Sequence, residues 1–151
     1  MKKYLAAFLI IAACNTNKSS NEKTTDATSV QKNITPASRS GCYVMQHNKD
    51  HAAMQLLVKD TVITGTLSYS LFEKDKNNGT LQGKINDSLL IADYTFQAEG
   101  MTSVREVVFK IKGDVLYEGY GAVIEKENKI SFKNSKELEF QIFGFVKGDC
   151  E

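Results

Sequence analysis

The sequence predicts an all-β domain: a small antiparallel meander of eight to ten strands closing into a barrel, with a β-sandwich as the alternative. From Gly41 onward apolar and polar residues alternate with period two, and residues suited to tight turns recur about every ten positions. Stretches of helical periodicity are scarce over the same region. Closure is favoured over an open sheet because it removes the exposed strand edges that an exported sheet must otherwise protect.

Two segments of different character precede the domain. Met1, Lys2 and Lys3 form a basic start, and Leu5 to Ala13 is a nine-residue apolar run ending in small residues, so residues 1–13 read as a secretion signal. Nine residues are too few to span a bilayer as a mature helix. Ile11, Ala12, Ala13 and Cys14 resemble the lipobox of bacterial lipoprotein precursors. The resemblance implies cleavage before Cys14, diacylglycerol on its thiol and an acyl chain on its new amino group. Several chains on one residue make a stable anchor, whereas one binds only marginally. Residues 14–40 then form the lipidated cysteine and a disordered tether. Asn15 to Ser40 is dominated by Asn, Ser, Thr and Lys, holds the only proline, Pro36, and has almost nothing with which to bury a core. As a flexible coil it spans roughly 25 to 30 Å. No acidic run follows Cys14, which favours attachment facing the periplasm over display at the cell surface.

With 151 residues and 42% hydrophobic content the chain suits one domain, placed at residues 41–151. Loss of Lys2 and Lys3 with the signal turns the formal charge of +1 into −1, which gives no electrostatic reason to expect nucleic acid as a partner. If Cys14 carries lipid, Cys42 and Cys150 remain at the two ends of the domain. Export to an oxidising compartment predicts a disulfide between them, with two unpaired thiols as the alternative. Their spacing is unlike any C-x-x-C redox or zinc motif.

Within the domain, Ile63, Gly65, Leu67, Tyr69 and Leu71 fall on one face, and Val62, Thr64, Thr66, Ser68 and Ser70 on the other. One face is core and one is solvated. Leu90, Ala92, Tyr94 and Phe96 repeat the pattern, as do Val107, Phe109 and Ile111. Further strands are expected over Leu116 to Tyr120, Ala122 to Ile124, Ile130 to Phe132 and Leu138 to Val146. Turns are expected at Lys59–Asp60, Asn86–Asp87 and Gly113–Asp114, and the dipeptide Asn78–Gly79 is the strongest hairpin signal of all. Gly65, Gly83, Gly119 and Gly121, inside strands, suit bulges or sharply coiled strands.

If the strands run up and down in order, the turns near 59, 86 and 113 share one end, and the loops at 73–79, 97–102 and near 120 share the other. A charged rim of Glu73, Lys74, Asp75, Glu99, Ser103, Arg105, Glu106 and Glu118 gathers at that second end. Extending the alternation puts Glu73 in phase with Leu71 and Arg105 in phase with Val107, so both are expected to point inward. An inward arginine beside carboxylates suits an anionic ligand group or partner side chain, because guanidinium matches carboxylate and phosphate geometry. The plainer reading is a partly solvated salt bridge capping the core. Inward Tyr69, Tyr94, Phe96, Phe109, Tyr117 and Tyr120 either line a pocket for a small apolar ligand or simply pack the core.

His47 and His51, the only histidines, would share one face of a helix as metal ligands, but their stretch is polar and offers no third ligand. Metal and cofactor are therefore not expected. No G-x-S-x-G, paired-cysteine zinc motif or glycine-rich phosphate loop is present, so no catalytic residue is assigned. Asp60-Thr61-Val62 and Asp87-Ser88-Leu89 resemble the short acceptor pattern for O-glycosylation of exported proteins in some bacteria; turn chemistry explains the same residues.

From Tyr69 to Lys110, the residues Glu73, Lys74, Asp75, Asn77, Gly79 and Thr80, followed by Tyr94, Phe96, Glu99, Gly100, Ser103, Arg105, Glu106 and Phe109, resemble a pattern in small uncharacterised bacterial lipoproteins. In architecture the domain is similar to small lipocalin-like or lysozyme-inhibitor-like barrels. The resemblance implies a fold and no activity. The expectation is a lipid-anchored envelope binding module without catalysis, recognising a small apolar ligand or an envelope protein at its rim. The alternative is a structural or stress-related envelope protein without a dedicated pocket.

Overall fold

The computed structural model describes residues 39–98 and 100–150; the expected signal, Cys14, the tether up to residue 38, and Glu99 lie outside them. The described chain is built from β1 (Gly41–His47), β2 (Asp50–Lys59), β3 (Val62–Ser70), β4 (Asn77–Asn86), β5 (Leu89–Ala98), β6 (Met101–Lys112), β7 (Val115–Tyr120), β8 (Val123–Lys126), β9 (Lys129–Phe132), β10 (Glu139–Phe140) and β11 (Phe145–Gly148). β1 to β7 pair as a meander, and β11 closes it by pairing antiparallel with both β1 and β7. The result is an antiparallel barrel of eight strands, with β8, β9 and β10 outside it. The expected strand Leu138 to Val146 is two short ones, β10 and β11, separated by residues 141–144.

Alternation sets which side chains fill the interior. β2 buries Ala52, Met54, Leu56 and Val58, and β3 buries Ile63, Leu67 and Tyr69. Tyr94, Phe109 and Phe145 are fully enclosed. Tyr69 meets Tyr94 edge-on at 6.0 Å, and Phe109 meets Phe145 edge-on at 5.5 Å, the arrangement that ring quadrupoles favour. Tyr69, Tyr94 and Phe109 therefore belong to the packed core. Tyr117 corrects its expected direction: Leu116 and Glu118 are buried, so with period two the intervening tyrosine faces the other way.

Turns explain the register and correct one expectation. Asp60 and Asp87 begin the two-residue β2–β3 and β4–β5 turns at φ 56° and 53°, and Gly113 begins the β6–β7 turn at 62°; Asp tolerates this left-handed region better than most residues. Asn78–Gly79 is no turn and lies within β4. Gly79 is needed there for clearance, because a Cβ would land on the Thr95 carbonyl and against the Tyr94 and Phe96 side chains. Gly65 likewise faces the Gln55 carbonyl of β2. Such close strand approach lets a small barrel curve tightly.

The disulfide between Cys42 and Cys150 ties β1 to the chain just after β11, with Cα atoms 5.1 Å apart. It supports a short closure: β11 has three registered residue pairs with β1 and two with β7. The antiparallel order puts the start of β1 at the end carrying the β2–β3, β4–β5 and β6–β7 turns. The rim is the opposite end.

Candidate functional site

At the rim the barrel comes apart along one seam. β6 and β7 pair from Lys112↔Val115 to Phe109↔Glu118, and there their ladder ends. Beyond that point β6 pairs in parallel with β9, at Val104↔Lys129 and Arg105↔Ile130. β7 instead pairs with β10, at Phe140↔Gly119 and Glu139↔Tyr120. A cleft of about 230 Å³ lies in the seam, with Arg105 and Glu118 among its lining and Val107, Tyr120, Val123, Ile130 and Phe132 as apolar wall. The β8–β9 hairpin is fixed beside it: Lys129 Nζ sits 2.6 and 2.8 Å from the two Asp93 carboxylate oxygens, and Glu106 Oε2 accepts the Phe132 N–H at 2.9 Å.

Glu118 is the one buried charged residue among the described residues. Its place follows from the alternation of β7, which puts it in phase with buried Leu116; Tyr120, expected to point inward, sits at the open end of the strand and is 46% exposed. Tyr69 Oη donates to Glu118 Oε1 at 2.7 Å. Burial pushes the Glu118 carboxyl above the usual glutamate value, although the Tyr69 and Tyr120 hydroxyls and the Arg105 charge pull the other way. Burial likewise raises Tyr69, with the Glu118 charge adding to it, and pushes Tyr94 up to about 12.

Arg105 contributes a cation held among rings. Its guanidinium carbon lies 5.2, 5.5 and 5.8 Å from the ring centres of Tyr69, Tyr94 and Phe96, within range of cation–π attraction. Its approach to Glu118 is long, 3.9 Å, with the arginine side chain 37% exposed and the glutamate 7%. Arg105 Nε and Tyr94 Oη are buried without a hydrogen-bond partner. Such groups are uncommon in folded proteins, and each asks for an account.

The structure brings together only part of the expected rim set. Arg105, Glu106 and Glu118 line the cleft, and Ser103 is half-buried opposite Phe96. Glu73, Lys74 and Asp75 are exposed in the loop after β3. Glu73 does not point inward: the Lys74 N–H bonds the Leu71 carbonyl in a turn, Glu73 takes φ 57°, and the strand phase ends before it. Arg105 therefore meets Glu118 instead. Glu99 lies outside the described residues. Nothing in the local sequence marks β8 and β9 as a cleft wall, and the inward phase of Glu118 is the one signal of its burial.

The histidines also part from the helical reading, since they flank the β1–β2 turn. His47 pairs with Asp50 and His51 with Gln46, and His47 stacks on Phe143 with centroids 4.1 Å apart. Among the described residues, no three His, Cys, Asp or Glu side chains converge as a metal site. A larger groove, about 330 Å³, runs over the outer face of β1 to β4 beside the disulfide. Small and uncharged side chains such as Ala53, Thr66 and Ser68 dominate it, so the seam is the better candidate despite its smaller volume.

No family model, curated protein or solved structure matches the chain.

Proposed function

We propose that this chain is a non-enzymatic binding module, held in the cell envelope by lipid on Cys14 and facing the periplasm, which recognises its ligand or partner at the barrel rim. The basic start, apolar run and lipobox-like Ile11 to Cys14 support the anchor. The single observation that carries the recognition site is an arginine fixed among three rings at an open cleft, with a buried N–H left unpaired. Fixed polar groups set in an apolar wall are the usual composition of a small-ligand site. Exposed Met101 and Ile142, together with Phe72, favour an envelope protein touching the same rim as the second reading.

Native mass spectra of the protein extracted mildly from its own envelope test this proposal. The expected mass is that of a chain beginning at an acylated Cys14, with a small molecule or partner that Arg105→Gln loses while circular dichroism stays unchanged. A bare chain in both samples, with no crosslink from a photoreactive residue placed at Tyr120 in intact cells, would overturn rim recognition.

A further inference from the structure

We infer that the seam cleft takes a carboxylate on a small apolar stem, with the Arg105 guanidinium as its anchor; this rests on the reading of the rim as a binding surface. The observation behind it is the hydrogen-bond balance of the site. A guanidinium offers five N–H donors and no acceptor. Arg105 makes one long approach to Glu118 at 3.9 Å, and its Nε has no acceptor. The carboxylates nearby are engaged, and the one acceptor left over is the buried Tyr94 hydroxyl. Glu118 Oε1 receives the Tyr69 hydroxyl, Glu106 Oε2 receives the Phe132 N–H, and Asp93 is paired with Lys129. A site with donors in surplus selects a ligand group rich in acceptors.

Charge and size narrow that group. A single arginine beside the Glu106 carboxylate suits a monoanion and opposes the second charge of a phosphate monoester. Carboxylate oxygens also match the planar fork of guanidinium. The three rings hold that fork in place before binding, which lowers the ordering cost. Val107, Val123, Ile130 and Phe132 then supply an apolar wall for the stem. At about 230 Å³ the cleft falls below the range of roughly 300 to 1,000 Å³ common for drug-sized ligands, so the stem must be short. A free organic acid and the carboxyl terminus of a peptide with an apolar last residue share this chemistry.

The test uses the 15N-labelled full chain as recovered from the envelope, held in lipid nanodiscs. Arg39 and Arg105 are the only arginines, so the Nε–H signal of Arg105, displaced by its rings, is a direct reporter. Gly119 and Gly121 line the cleft and report through their amides. Benzoate is expected to move these three signals saturably, with a dissociation constant on the order of 0.1 to 10 mM. Benzamide, of the same shape without the charge, and phenyl phosphate are expected to bind at least about tenfold more weakly. Arg105→Lys, which keeps the charge and loses the fork, should weaken benzoate by a factor of about ten.

An acetylated tripeptide ending in leucine, with a free or an amidated terminus, separates the two sources. If the free terminus moves the three signals and benzoate does not, the carboxylate belongs to a peptide chain. Equal binding of benzamide and benzoate, equal binding of the two peptides, or shifts confined to the outer groove would overturn the proposal. So would silence of all probes up to about 50 mM. These outcomes need no folded variant. They are also separable from failure of rim recognition: a native ligand lost on Arg105→Gln, together with silent carboxylates, sinks the carboxylate assignment and leaves the rim standing.

Discussion

Glu118 concentrates the chemistry of the rim in one residue, and its cost depends on pH. Burial favours the neutral acid, so the folded chain holds this proton to higher pH than the unfolded chain does. The contribution to stability is therefore complete below the ordinary glutamate range and is lost as pH rises through the raised folded value. Glu118→Gln removes that titration while keeping a side chain of similar shape. Urea melts from pH 4.5 upward to neutrality are expected to show the parent midpoint falling relative to that of the variant. Parallel midpoints across this window would show that the carboxyl is not held neutral by burial. Tyr69 and Tyr94, with their hydroxyls pushed up in the same way, keep the rings around Arg105 uncharged through the same window.

At the scale of elements, the glycines of β3 and β4 decide how tightly the sheet curls. Gly79→Ala should cost about 1 to 3 kcal/mol, in line with other overpacked cores, because the added carbon meets the backbone of β5 as well as the Tyr94 ring and the Phe96 Cβ. Gly100→Ala supplies the contrast: it meets no atom within 4 Å, and its cost comes only from φ 79°. Thermal melts of both variants check this, and a Gly79→Ala barrel as stable as the parent would contradict the tight packing of β4 on β5. The same glycine shows where sequence reading fails. Asn78–Gly79 carries a hairpin signature locally, yet the close approach of β5 is a tertiary demand that no local window displays. The alternation of β3, β5 and β6 was legible because one buried face imposes period two. The parting of β6 from β7 was not, since it depends on β9 and β10 arriving from later in the chain. Arg105 and Glu118 were each legible as rim residues, and their meeting was not, because Glu73 leaves the strand phase at a turn.

For the whole molecule, stability depends on how the meander is closed. Six hairpin-linked contacts join β1 through β7 in sequence order, whereas β11 must return across the length of the chain to reach β1. The disulfide, at a sequence separation of 108, reinforces that return. In the chain-entropy view a crosslink of this span stabilises by roughly 4 to 5 kcal/mol, mostly by restricting the unfolded chain. Cys42→Ser with Cys150→Ser should therefore lower the unfolding free energy by several kcal/mol, within the roughly 2 to 5 kcal/mol seen for native bridges. Hydrogen exchange should find its largest local increase in β11 and its partners at the start of β1. Phe145 belongs to β11 and packs edge-on against Tyr69 at 6.4 Å, and Tyr69 holds Glu118. Loosening the closure should consequently displace the Arg105 Nε–H signal at the rim. If exchange rises in β11 while that signal stays fixed, closure and cleft are independent, and the packing of Phe145 on Tyr69 does not carry order from one to the other.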